Sequence, residues 1–225
     1  MKKLFVISFI SLLPLIVEGQ TIKQIDSVTI QMCRTLSELP EMKSQEKFDA
    51  IMNKHLPDFY RLAKISSQQQ ADTINNRIFF RLQRNCSEFT ELLKEIEPSK
   101  SDWKTLDEKP LAKISTYDYN EFLKGGNFYY LENSGEIVRV KINKNQWIET
   151  FEDGTISKLI LQPIDNAAFN LKFIESDNVT RKNLSVKGDI YNYNIYAKDE
   201  NSYDIWIPTN DNVITAFKLY IEKMN

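Results

Sequence analysis

The 225-residue chain holds one histidine, two cysteines and six glycines, and each shortage excludes a chemistry. A zinc site needs three or four sulfur, imidazole or carboxylate ligands around one ion. With His55 as the sole histidine and Cys33 and Cys86 as the sole cysteines, no metal site is expected. A serine or cysteine nucleophile needs a base within hydrogen-bond reach, and His55, close to Pro57, reads as a solvated surface residue. No glycine-rich phosphate-binding loop occurs, so no nucleotide cofactor is expected. Basic excess is missing too: residues 20–97 carry 11 basic and 11 acidic side chains, and residues 126–225 carry 11 and 14. Binding to a phosphate backbone depends on a surplus of Lys and Arg, so nucleic acid is excluded as a partner.

Long apolar runs are also scarce. The first 20 residues, MKKLFVISFISLLPLIVEGQ, place two lysines before an apolar run from Leu4 to Val17 and then small or polar residues. That order is the pattern of a secretory signal peptide. The run is shorter than the roughly 20 residues that cross a bilayer. Val17 and Gly19 suit the small-residue rule, which puts the expected cut between Gly19 and Gln20. No later segment is apolar enough to span a membrane, so residues 1–19 read as a signal peptide and the remainder as an exported protein, periplasmic or extracellular. Export favours pairing Cys33 with Cys86; the alternative is two buried free thiols.

From Thr21 to Glu97 the apolar residues recur at helical spacing. Ile22, Ile25, Thr29, Met32 and Leu36 line a first helix that Pro40 ends. A second helix starts at Ser44, with Pro57 expected to bend or divide it. A third carries Ile74, Ile78, Leu82, Phe89, Leu93 and Ile96 in one stripe up to Pro98, with Arg77, Arg81 and Arg84 read as solvated flanks; the alternative is that they form an interaction surface with Phe79 and Phe80. A Cys33–Cys86 bond would join the first helix to the third and close a loop of about 54 residues, worth roughly 3 to 5 kcal/mol in the chain-entropy model. Residues 20–97 thus form a helical domain, and residues 98–125 a linker with a short helix capped by Ser115 or Thr116 and ended by Gly125 and Gly126.

After Gly126 the period changes to 2. Strand-like runs fall at 127–132, 136–142, 146–152, 156–162, 167–174, 189–198, 202–208 and 213–222, separated by short Asn, Asp and Gly turns. Linkers this short join antiparallel neighbours. Only the segment from Val179 to Gly188 is longer, and its TRKNL suits one helical turn. The fold class is therefore α+β: an N-terminal helical bundle followed by an eight-stranded antiparallel meander closed into a small β-barrel over residues 126–225. Alternation puts Val138, Val140, Ile142, Phe169, Leu171, Phe173, Tyr191, Tyr193, Ile195, Phe217, Leu219 and Ile221 inside. The face of Trp147 stays open because Glu149 shares it, and Trp206 reads as outward with Asp204.

The run GGNFYYLENSGEIVRVKINKNQWIETFEDG and the later KGDIYNYNIYAKDENSYDIWI resemble small lipocalin-like (calycin-type) domains of exported bacterial proteins. The matching features are the Gly-x-Phe opening strand, Ile137-Val138-Arg139, Trp147 with Glu149, and the Gly188-Asp189 strand start, over roughly residues 122–222. The resemblance implies a meander barrel and an apolar ligand. Lipocalins carry Gly-x-Trp where this chain has Gly126-Asn127-Phe128, and they are longer.

Two functions follow. The first is an exported non-enzymatic binding protein holding a small apolar molecule among Phe128, Val138, Val140, Trp147, Phe169, Tyr191 and Tyr193. The second is a protein interaction module with a filled barrel, such as an inhibitor or immunity-type factor. Eight strands enclose either packed side chains or one small ligand, and the many rings in the inward set favour filling. Glu149 and Glu152 with Asp153 offer pairs of carboxylates, and two carboxylates can hydrolyse a glycoside, but Asp153-Gly154-Thr155 is explained as a hairpin turn.

Overall fold

The computed structural model describes residues 15–164, 167–208 and 213–223. The expected signal peptide lies largely outside them. Helix α1 (Leu15–Glu38) runs through the expected cut between Gly19 and Gln20. It is followed by α2 (Ser44–Ala63), α3 (Gln68–Asn85) and α4 (Ser87–Ile96). Ile25, Met32, Ile51, Ile78, Leu82 and Phe89 are buried in one core between these helices. Phe48, Phe79 and Phe89 meet ring to ring at 5.6 to 6.4 Å.

Two expectations for this half are corrected. Of the two outcomes expected at Pro57, division does not occur, because α2 continues as one element to Ala63; the proline is exposed, so its missing N–H costs hydrogen bonding but no packing. The third helix is not continuous. Cys86, with φ −140° and ψ 108°, leaves the helical region and separates α3 from α4. The apolar spacing carries on across this single residue, which is why the period alone does not reveal the break. Cys86 is bonded to Cys33 of α1, with Cα atoms 5.6 Å apart.

The second half is a closed, antiparallel eight-stranded barrel with one extra strand. Its strands are β2 (Gly126–Leu131), β3 (Ile137–Asn143), β4 (Gln146–Thr150), β5 (Ile156–Pro163), β6 (Ala168–Ser176), β7 (Ile190–Lys198), β8 (Ser202–Pro208) and β9 (Ile214–Ile221). Each pairs with its sequence neighbour, and β9 returns to β2 through Phe128 opposite Ile221 and Tyr129 opposite Tyr220. All eight coincide with the period-2 runs to within two residues. The extra strand, β1 (Lys104–Leu106), pairs with β9 where β9 has left β2. Its three residues are too few to show a period.

Two short helices stand at opposite ends of the barrel. Helix α5 (Thr116–Leu123) precedes β2, and the Ser115 hydroxyl accepts from the Asp118 N–H at its start. Gly125, at φ +90°, makes the turn into β2; a Cβ there would meet the Ile142 carbonyl oxygen at 2.4 Å, so only glycine fits. Helix α6 (Val179–Leu184) is the expected turn in TRKNL, capped by Asn178. No helix among the described residues is long and apolar enough to cross a membrane.

Candidate functional site: the barrel interior and its polar end

The alternation read from the sequence places the inward residues correctly. Phe128, Val138, Val140, Trp147 and Phe169 are all buried in one core, and Tyr191 and Tyr193 are partly buried against it. All seven belong to the same core, and three of them, Trp147, Phe169 and Tyr193, meet ring to ring at 5.2 to 6.3 Å. From the end closed by α5, Phe122 sits 5.1 Å from Phe169 and 5.3 Å from Tyr203. Phe169 stacks on Tyr193 at 5.2 Å, Tyr193 meets Phe217 edge-on at 6.3 Å, and Phe217 stacks on Trp103 at 4.5 Å. A continuous file of aromatic contacts therefore runs along the inside. Phe122 is fully buried and comes from α5, outside the strands, so no strand pattern announced it.

Trp147, whose face the sequence left open, is inside and 1% exposed. Its indole N–H donates to Glu149 Oε1 at 3.3 Å. Burying a carboxylate is costly unless it is paired and hydrogen-bonded, and Glu149 is both. Tyr130 donates its hydroxyl proton to Glu149 Oε1 at 3.1 Å, and Arg181 of α6 donates through Nε to Glu149 Oε2 at 3.4 Å. Arg181 Nη2 also donates to the Tyr130 oxygen at 2.6 Å and pairs with Glu132. The guanidinium carbon lies 5.3 Å from the centre of the Phe151 ring, within cation–π range. Arg181, Glu132 and Tyr130 had no signal in the sequence as site residues, because their meeting depends on α6 folding over the barrel end.

Burial shifts these groups in consistent directions. The Tyr130 phenol is pushed well above its ordinary value by loss of solvent, against the pull of the Arg181 charge. Tyr193 is pushed up by burial and by the Glu149 charge. Burial opposes the charge of Arg181, but Glu132, Tyr130 and Glu149 outweigh it, so the guanidinium is held firmly cationic. Tyr191 stands at the rim, its hydroxyl 2.6 Å from Ser185 and its ring 5.2 Å below the Arg84 guanidinium. The interior end thus combines a fixed cation, two carboxylates and a neutral phenol. All four have partners within the cluster.

The remaining acids are accounted for locally. Asp153 accepts from Thr155 N–H at 2.9 Å and from its hydroxyl at 2.6 Å, and these bonds hold its carboxyl below the usual range. Glu152 accepts from the Ile137 N–H at 3.0 Å. The turn reading of Asp153-Gly154-Thr155 stands, with Gly154 at φ +81°. His55 corrects its reading: it is partly buried, with Nε2 2.8 Å from the Thr35 hydroxyl, and burial followed by the Lys54 charge lowers its basicity. Arg81 is corrected likewise, being 4% exposed rather than solvated. Trp206 does face outward beside Asp204, partly covered by Lys109, whose Nζ is 5.7 Å from the ring centre.

Two surface depressions accompany this interior. One, of about 430 Å³, lies between Asp199–Ser202, Lys218 and Tyr220. Asp199 there is held down to about 2 by the Asn201 N–H and the Ser202 hydroxyl, so its charge serves the turn. The other, of about 380 Å³, lies between Gln24 of α1, the turn after α2 and the start of α3. Neither is lined by a residue of the barrel core. No family model, no curated protein and no solved structure matches the chain.

Proposed function

We propose that this is an exported, non-enzymatic interaction protein, of the inhibitor or immunity-factor kind, in which the barrel is a filled scaffold and recognition is carried on its outside. The observation that carries this reading is the aromatic file from Phe122 through Phe169, Tyr193 and Phe217 to Trp103. Ligand pockets for small apolar molecules enclose a few hundred Å³. In this barrel three of the positions that would line such a pocket, Trp147, Phe169 and Tyr193, touch one another, so a carrier of the lipocalin-like kind would have to move these rings to load. The Cys33–Cys86 bond fits an oxidising compartment, in keeping with a signal peptide over residues 1–19. The self-neutralised end cluster supports a structural use of Glu149 in preference to acid–base catalysis.

Native mass spectrometry of protein purified from its own host tests the reading. The expected mass is that of the chain from Gln20 onward with one disulfide and no added small molecule. A retained apolar molecule at stoichiometric occupancy overturns it and restores the carrier, with Phe128, Val138, Val140, Trp147, Phe169, Tyr191 and Tyr193 as its lining.

A further inference from the structure

The connection from β6 to β7, residues 177–189, faces two ways. On the barrel side, Arg181 reaches Glu149, Tyr130 and Glu132. On the helical side, three arginines of α3 grip the same segment. Arg77 donates to the Lys182 carbonyl, and Arg81 donates to the Leu184 carbonyl at 3.1 Å. Asp189, just after α6, pairs with Arg84 at 2.9 Å and with Arg81 at 3.4 Å. Arg81 is itself fixed to α1 through a bidentate pair with Asp26 at 2.7 and 2.8 Å. The grip is therefore anchored in the helical core independently of α6.

No residue of α6 is fully buried, although the Arg181 side chain is only 18% exposed, and Val179 is 50% exposed. A helix of six residues has no stability of its own. Its place is set by polar contacts from both sides, which makes it a segment that can leave without uncovering an apolar face of its own. We propose that α6 is a plug in the end of the barrel, that Arg181 is the stopper, and that α3 holds the plug shut, so that the helical half controls access to the Trp147–Glu149 pair. A partner that pulls on α3 would then be felt inside the barrel. This goes beyond the interaction reading and does not depend on the partner's identity.

Trp103, Trp147 and Trp206 are the three tryptophans of the chain. Replacing Trp103 and Trp206 by Phe leaves Trp147 as the sole fluorophore, and acrylamide quenching then reports access to it. The background protein is expected to quench slowly. Asp189→Asn, which removes the charge that α3 grips, is expected to raise the quenching constant several-fold and to speed amide exchange in residues 179–184. Arg181→Met is expected to raise quenching at least as much. Unchanged quenching and unchanged exchange in Asp189→Asn overturn the proposal. So does fast quenching in Arg181→Met together with none in Asp189→Asn, since the plug would then be independent of α3. If the two-Phe background or Arg181→Met fails to fold, amide exchange with Asp189→Asn in the otherwise native chain decides alone.

Discussion

The Trp147 indole N–H donates to Glu149 Oε1 at 3.3 Å, two residues further along the same strand and inside the same barrel. The strand pleat puts both on one face, and closure of the barrel then commits both to the interior. Glu149 is tolerated there because Tyr130 and Arg181 share it. Replacing it by Ala strands a buried guanidinium and two N–H or O–H donors. Breaking a buried pair by removing one partner costs about 3–5 kcal/mol, which lowers Tm by roughly 6–20 °C if the two halves unfold as one unit of about 200 residues. Glu149→Gln keeps an acceptor and should lose less. Thermal unfolding followed by near-ultraviolet circular dichroism measures both, and equal losses would show that the charge is idle.

The Cys33–Cys86 bond joins α1 to the break between α3 and α4. Thiol titration under denaturing, non-reducing conditions should find no free thiol. Cys33→Ala should cost about 3–5 kcal/mol through the larger unfolded ensemble and lower Tm by roughly 10 °C. An unaltered Tm would mean that the bundle core holds the helices without the bond.

Trp103 ties the segment before β1 to the barrel. Its ring stacks on Phe217 at 4.5 Å, and its N–H donates to the Leu131 carbonyl at 2.6 Å. Trp103→Ala removes both and should cost about 3 kcal/mol, the low end for a large aromatic because the ring is only partly buried. Trp103→Phe keeps the stack and should cost about 1 kcal/mol for the lost hydrogen bond. Chemical denaturation gives the difference between the two variants, and no difference would remove the hydrogen bond as a contributor.

Alkaline pH should unfold the protein through its tyrosines. Tyr203 is pushed up to about 12 by burial and then by Asp118 and Glu121, and Tyr220 to about 12 by burial and its bond to Asp102. A phenol whose folded value is raised keeps its proton where the unfolded chain has lost it. Stability is therefore full below about pH 10 and falls as pH rises through 12. Tyrosinate absorbance should show buried phenols, Tyr130 and Tyr193 among them, ionising only with loss of structure. Tyr203→Phe should move the alkaline midpoint upward; a midpoint that stays put would assign the transition to other groups.

Local periodicity determined much of this protein by itself. The eight barrel strands, the inward set from Val138 to Ile221, a cap at Ser115 or Thr116 and the helical turn in TRKNL were all legible, and the export reading favoured pairing Cys33 with Cys86. Alternation and helical spacing record which face of an element is buried, and burial is the strongest constraint on residue choice. What the faces meet is a different matter. The break at Cys86 leaves the apolar stripe in phase, and α2 carries Pro57 without dividing because its fold is held by core contacts on the other face.

Only the tertiary structure decided which rings meet inside the barrel, where Trp147 points and what balances Glu149. Those outcomes rest on groups far apart in the chain: Phe122 entering from α5, Trp103 from before β1, and Arg181 placed over the barrel end by a six-residue helix gripped from α3. A residue pattern encodes burial one element at a time. Ring packing and charge neutralisation are properties of the closed barrel, because each depends on side chains that meet only when β9 has returned to β2.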